Sequence, residues 1–502
     1  MKTAEAVDLR CEYQANPLGL GEVRPRLSWR IQDPRPGACQ TAYRLLAASR
    51  PDRLAPGRAD LWDSGKVADD ACLDIVYPGA PLASRQAVFW RVCVWDRRGA
   101  ASPWSERAFF SLGLLKPADW TARWIGRAPA RPAEEPPCPF LRRAFELQAS
   151  VSRALLYVTA RGLFDVWLNG RRVGKDYFTP GWTDYAKRIQ VAAYDVTRLL
   201  RKGANVAGAI LAEGWFAGRL GWERRRGAAA GELSLLLQLE VEHPDGSRTR
   251  VVSGPDWQAA AGPLKKASLY DGETYDARDE RPGWCVPGGD AGAGWRPVRV
   301  VPPPRVRLVA WCSPPVRRQE TLRARKLTEP APGVYVFDLG QNMAGWARIR
   351  VRAGAGRTVA VRHAEMLNPD GTLYTENLRT AQCTDRYTAR GGGTETYEPR
   401  FTFHGFRYVE LTGLAARPRL GDAAGVVLHS DLPATGEFAC SDARINRLQH
   451  AIAWGQKGNF LEVPTDCPQR DERLGWTGDA QVFIRTASFN RDVAAFFTKW
   501  CR

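Results

Sequence analysis

Short runs of alternating apolar and polar residues, punctuated by turn residues, fill the chain up to about residue 430, and this repetition most narrows its fold. Successive side chains of a strand point to opposite faces, so an alternating run can bury one face and wet the other. Arg26–Arg30 (RLSWR), Ala42–Ala48 (AYRLLAA), Ala87–Trp95 (AVFWRVCVW) and Ala108–Leu112 (AFFSL) are such runs, with a turn at Asp96–Gly99 (DRRG). They predict an immunoglobulin- or fibronectin-like β-sandwich over residues 1–113. A linker, 114–139, follows, with Pro117 near its start and the Pro-rich stretch Ala128–Pro139 at its end. Residues 140–305 read as a second β-sandwich, with strands at Val151–Thr159, Leu163–Leu168, Asn205–Leu211 and Leu233–Val241. Asn169-Gly170 marks a hairpin, because both positions of its turn favour positive φ. Phe178–Tyr185 (FTPGWTDY) reads as an aromatic loop, and Pro302–Pro304 closes the unit. Residues 306–432 form a third β-rich segment, with strands at Val334–Leu339, Trp346–Val351, Thr358–His363, Thr384–Tyr387 and Phe406–Leu411, and a hairpin at Asp370-Gly371.

The period then changes. Ser441 is placed to cap a helix running from Asp442 to about Gly458, with Ile445, Leu448 and Ile452 on one face. After a loop with Pro464 and Pro468, helical sequence resumes at Asp479–Ser488 and at Arg491–Arg502. The fold class expected is multidomain and mainly β, with tandem sandwiches followed by helices over 433–502. Those 70 or so residues are too few for a comfortable independent domain.

The 502 residues carry a formal charge of +18. Lys and Arg are dispersed, and the densest run is the triplet Arg224–Arg226. A solvated basic surface accounts for this better than a nucleic-acid footprint. No apolar run is long enough for a membrane span, and MKTAEAVDLRCEY lacks the apolar core of a secretory signal. The 11 cysteines show neither a CxxC pair nor zinc-type spacing with histidine, so reduced thiols and a cytoplasmic location are expected, with no metal and no cofactor.

The densest polar cluster is Thr465–Gln481, TDCPQRDERLGWTGDAQ. It interleaves Asp466, Asp471, Glu472 and Asp479 with Arg470, Arg473 and Trp476. One reading is a salt-bridged helix start, in which acidic groups favour the positive end of the helix dipole. The other is a pocket wall for glycoside hydrolysis, which needs one carboxyl protonated and another ionised. Mutual repulsion raises some carboxyl pKa values and neighbouring arginine lowers others.

The string DCPQRDERLGWTGD at Asp466–Asp479 resembles the signature of bacterial α-L-rhamnosidases of glycoside hydrolase family 78. LRCEYQANPLGLGEVRPRLSWR (9–30), WDSGKV (62–67) and FWRVCVWDRRG (89–99) resemble that family's fibronectin-like domain, and FDVWLNGRRVG and FTPGWTDY (164–185) its carbohydrate-binding-like sandwich. FDLGQNMAGW (337–346), VRHAE (361–365) and FTFHGFRYVEL (401–411) resemble its next β-domain. The resemblance implies that the helices open an (α/α)6-barrel catalytic domain. It implies that Glu472 is the general acid, that Asp466 and Asp479 bind rhamnose hydroxyls, and that Arg470 and Trp476 line the same pocket. An inverting mechanism follows, with acid and base ~6.5–9.5 Å apart. The family's general base is a glutamate later in the barrel, which no residue here matches; Asp471 adjoins Glu472 too closely to replace it. Rhamnose-containing glycosides or oligosaccharides are the implied partners. The competing expectation is an inactive remnant that binds carbohydrate or serves a structural role.

Weaker candidates lie outside this segment. His363 and Glu365 alternate on one strand and read as a structural pair, and His404 as a packing or turn residue. Gly354-Ala355-Gly356 and Gly391–Gly393 read as turns, since no GK[ST] follows. Cys467 has no histidine nearby in sequence to activate it.

Overall fold

The computed structural model describes residues 4–127, 138–222, 231–289 and 292–502. The basic triplet Arg224–Arg226 and most of the Pro-rich stretch fall outside them.

In the first unit, strands Glu5–Cys11, Arg26–Gln32 and Ile75–Val76 form one sheet, and Trp62–Asp63, Gln40–Ala48, Ala87–Asp96 and Ala108–Ser111 form the other. Their inward residues, among them Trp29, Leu45, Trp90, Val92 and Phe110, share one core. The second unit also has two facing sheets. One is centred on Arg153–Arg161 and Ser234–Glu242, the other on Leu163–Leu168, Gly203–Ala212 and Pro139–Leu147. Leu156, Val158, Leu237 and Leu239 meet Val166, Leu168, Ala207 and Leu211 between them. Asn169 and Gly170 turn with φ of 51° and 78°, the double positive φ that a tight hairpin requires.

The third unit is built on an eleven-stranded sheet. Val334–Leu339 and Trp346–Val351, expected as two strands, belong to one, Val334–Arg352, whose register against His404–Thr412 shifts between Asp338 and Met343. Gly345 lies at φ 149°, and a Cβ there would come within 1.9 Å of the Val426 carbonyl oxygen, so only glycine allows this crossing. The sheet does not respect a division near residue 305. Asp176–Tyr177 pairs with Val316–Arg323, and Leu264–Ser268 and Gly272–Asp276 extend its far edge beside Thr384–Thr388. Phe178, Trp215, Tyr270, Trp346 and Phe403 fill the shared core.

Helix α1, Gly214–Ala217, is a single turn in the second unit. The last segment contains α2 (Ala443–Asn459), α3 (Thr477–Asn490) and α4 (Ala494–Trp500). Asp442 rather than Ser441 caps α2, its carboxylate accepting from the Arg444 N–H at 2.8 Å. Helices α3 and α4 enclose a small core of Ala487, Phe496 and Phe497 together with Leu432 and Phe460. The face expected to be buried is not: Ile445 is 47% and Leu448 59% exposed, and only Ile452 is half-buried. Helix α2 packs instead on the large sheet, with Trp454 against that sheet's core.

Candidate functional site

The loop joining α2 to α3 carries the acidic cluster, and the β-domains hold it in place. Glu472 and Arg473 have φ of 98° and 44°, two successive non-glycine residues in the left-handed region. Such a backbone persists only where its surroundings enforce it. The Tyr270 hydroxyl donates to the Glu472 carbonyl, and Gly221 makes a β-bridge to Glu472. The buried Arg473 guanidinium donates to the carbonyls of Leu269 and Phe403, both at 2.6 Å, and to those of Arg470 and Gln469 at 3.0 and 3.2 Å. It lies over the rings of Tyr270 and Phe403. Asp471 accepts from the Thr380 hydroxyl at 2.6 Å and its N–H at 3.2 Å. Arg473 and Asp471 therefore fasten the loop to the large sheet, with Glu472, itself buried, held between them.

Arg470 bridges two carboxylates: Nη2 is 3.1 Å from Asp466 Oδ2, and Nη1 donates to Glu472 Oε2. Trp476 Nε1 donates to Glu472 Oε1 at 3.1 Å, and the Trp222 indole supplies a further hydrogen bond. The two indoles meet at 6.1 Å between ring centroids, forming an aromatic lip beside Glu472. Trp222 is about half exposed. Asp466, Arg470, Glu472 and Trp476 thus form one network. Asp479 stands apart in the first turn of α3, exposed, and shares with Asp466 a pocket of 610 Å³ lined also by Ile452, Val482 and Phe483.

Burial pushes the Glu472 carboxyl up, but the Arg470 hydrogen bond and charge and the two indole N–H groups outweigh it, leaving the pKa below its usual value. Burial raises Asp466, with the Glu472 charge adding to the effect, and its Oδ1 has no hydrogen-bond partner. Ligand atoms of Asp466, Cys467 and Glu472 lie within 4.8 Å of one another. That is too close for an inverting pair, which must admit a water between its carboxyls. Burial drives the Cys467 thiol up to about 12, so it is not a nucleophile at neutral pH. Arg470 already supplies a cation to these carboxylates.

Trp222, Tyr270, Arg379 and Thr380 reach this site from remote segments, and sequence reasoning missed them. The GW pair at 221–222 was a signal only in the weak sense that indoles line sugar sites. His363 does not pair with Glu365, which instead accepts from Asn342. Its ring stacks on His404 at 4.1 Å, with Asp385 accepting from His404 Nε2 at 3.3 Å, behind the site and fully buried. Burial lowers both histidine pKa values, that of His363 to about 3.

Comparison with known proteins places these parts. Residues 6–116 match the Rha78A-like N-terminal immunoglobulin domain and 149–320 the alpha-L-rhamnosidase N-terminal domain. Residues 328–429 match the bacterial alpha-L-rhamnosidase concanavalin-like domain and 433–502 the bacterial alpha-L-rhamnosidase 6 hairpin glycosidase domain. The chain is 43% identical to an alpha-L-rhamnosidase of Formosa agariphila over 97% of its own length and 53% of that protein's. It is 39% identical to one of Streptomyces avermitilis, over 97% and 63%. The crystal structure of S. avermitilis alpha-L-rhamnosidase complexed with L-rhamnose superposes with a TM-score of 0.93 at 37% identity, covering 99% of this chain and 64% of that one. The chain spans between half and two thirds of the length of these relatives. Its four matched segments, in the same chain, make it a member of the bacterial α-L-rhamnosidase family.

Proposed function

We propose that this chain forms the acid-bearing side of an inverting α-L-rhamnosidase site, with Glu472 donating a proton to the glycosidic oxygen of a terminal α-L-rhamnoside. The observation that carries the reading is the clamp on either side of Glu472. It holds one buried carboxylate in a fixed place beneath the lip of Trp222 and Trp476. Asp466 and Asp479 line the 610 Å³ pocket, where their carboxylates can accept hydrogen bonds from sugar hydroxyls, and the exposed Trp476, outside that lining, is assigned to the apolar side of the ring. Arg470 holds Glu472 ionised in the free protein, so the reading requires bound sugar to draw Arg470 away and let Glu472 take up its proton. The base is a carboxylate outside this network, because Asp466 is too close and Asp471 is tied to Thr380.

Hydrolysis of an aryl α-L-rhamnoside by the protein expressed from its own gene tests the assignment. Glu472→Gln is expected to lower kcat by about 10²–10⁴-fold, the usual contribution of a general acid. A variant with wild-type kcat removes Glu472 from the role. A cytoplasmic location is also proposed, supported by eleven cysteines that form no disulfide. Labelling of those thiols in intact cells against lysate is its check.

A further inference from the structure

A general acid protonates the leaving group, so whatever carries the rhamnose lies on the acid's side of the scissile bond. On that side, away from the Asp466–Asp479 pocket, a groove of 470 Å³ runs from Arg379 past Thr380, Arg219 and Gln382 to Thr384 and Arg362. Its near end touches the site: Arg379 Nη1 is 3.8 Å from Glu472 Oε2, and Thr380 holds Asp471.

The charges in this groove are arranged unequally. Each arginine has an acidic neighbour, but that neighbour is the buried member of the pair. The Arg379 side chain is 50% exposed and Asp471 3%; Arg362 is 41% exposed and Glu410 4%. Arg219 reaches Asp271 only at 3.6 Å, spends Nη2 on Thr380, and keeps Nε buried with no acceptor. Thr384 pairs with Arg362 across the sheet, and Arg386, two residues along the strand, extends the same outward face. A molecule entering the groove therefore meets guanidinium edges while the carboxylates stay beneath them. Arginine forks match planar oxyanions, carboxylates above all.

The geometry points to an acidic sugar, a uronate, as the residue that bears the rhamnose, its carboxylate held by Arg219, Arg362 and Arg379. This rests on the rhamnoside reading above and names the substrate class of that same site. Neutral aglycones leave the guanidinium edges facing water and gain nothing from them.

Calorimetric titration of this chain with two matched ligands tests the inference: an α-L-rhamnosyl-glucuronic acid disaccharide, and the same disaccharide with its carboxyl reduced to the alcohol. The acid is expected to bind about 10-fold more tightly at 50 mM salt and to lose most of that advantage at 500 mM, as a partly exposed charge pair does. Arg362→Gln and Arg379→Gln are each expected to bring the ratio of the two affinities towards one. Equal affinities in the unaltered chain, or a ratio that neither variant changes, overturn the uronate subsite while leaving the rhamnoside site standing. Failure of both disaccharides to bind overturns the rhamnoside reading, and the subsite with it.

Discussion

Arg470 and Arg473 are three residues apart and have opposite uses. Arg473 is spent on backbone carbonyls and holds a strained turn, whereas Arg470 is spent on two carboxylates and sets their protonation. The Arg470 effect has a testable sign. In the folded chain Glu472 is held below its usual pKa, so its contribution to stability is present above the ordinary carboxylate range and is lost as pH falls through the lowered value. Arg470→Leu removes the compensating cation and leaves burial to act alone. The variant is expected to lose about 1–3 kcal/mol at pH 8, where Glu472 and Asp466 must both ionise without their partner, and less at pH 4, where both can be neutral. Urea melts at the two pH values measure the difference. A loss that is equal at both shows that Arg470 acts by packing and not by charge.

At the level of the element, the strand Gly272–Asp276 shows what joining a foreign sheet entails. It leaves the second unit, pairs in parallel with Thr384–Thr388, and carries Glu273 into the interior. Glu273 accepts from the N–H groups of Phe401 and Arg400 at 2.6 and 2.9 Å and from the Tyr397 hydroxyl at 3.3 Å. Burial nevertheless raises its pKa to about 7, with the Asp385 charge adding to it. A carboxyl whose folded pKa is raised contributes stability that is complete below its unfolded value and is lost as pH rises through the folded one. Glu273→Gln keeps acceptors for the backbone N–H groups and cannot ionise. The variant is therefore expected to gain on the unaltered chain by about 1.4 kcal/mol for each pH unit between the ordinary carboxylate range and about 7, with little gain at pH 5 and no further gain above 7. Denaturant melts at pH 5 and 8.5 read this out, and a difference independent of pH shows that Glu273 stays charged throughout. Elements of this kind mark the limit of what sequence reveals. The alternating runs, the Asn169-Gly170 turn and the acidic loop were legible because each is specified by neighbours in the chain. The pairing of Asp176–Tyr177 with Val316–Arg323, the strands at 264–276, and the arrival of Trp222 beside Glu472 were not. They depend on contacts between distant segments, for which a local period carries no information. The expected buried face of α2 failed for a related reason: Ile445 and Leu448 have helical spacing, but spacing does not supply a partner.

That unmatched face governs the behaviour of the whole molecule. Besides Ile445 and Leu448, Val482 is 79% and Phe489 68% exposed on α3. Contiguous apolar surface of this kind is uncommon on a soluble monomer. Each such side chain gains roughly 1.5–3 kcal/mol when fully buried, so four together drive association strongly. The chain is expected to self-associate at tens of micromolar and to bind a hydrophobic dye while its β-domains remain folded. Combining Leu448→Lys, Val482→Lys and Phe489→Lys removes apolar area that is mostly exposed among the described residues. The triple variant is expected to run as a monomer by light scattering with its Tm unchanged, whereas Phe496→Ala, in the small helical core, lowers stability by about 3–5 kcal/mol. The same face borders the pocket holding Asp466 and Asp479, since Val482 lines both. Association and saccharide binding therefore compete for one surface, and a saturating saccharide is expected to shift the scattering mass of the unaltered chain towards the monomer while leaving the triple variant where it is. A scattering mass that does not respond to saccharide places the self-association elsewhere on the molecule and separates the apolar face from the site.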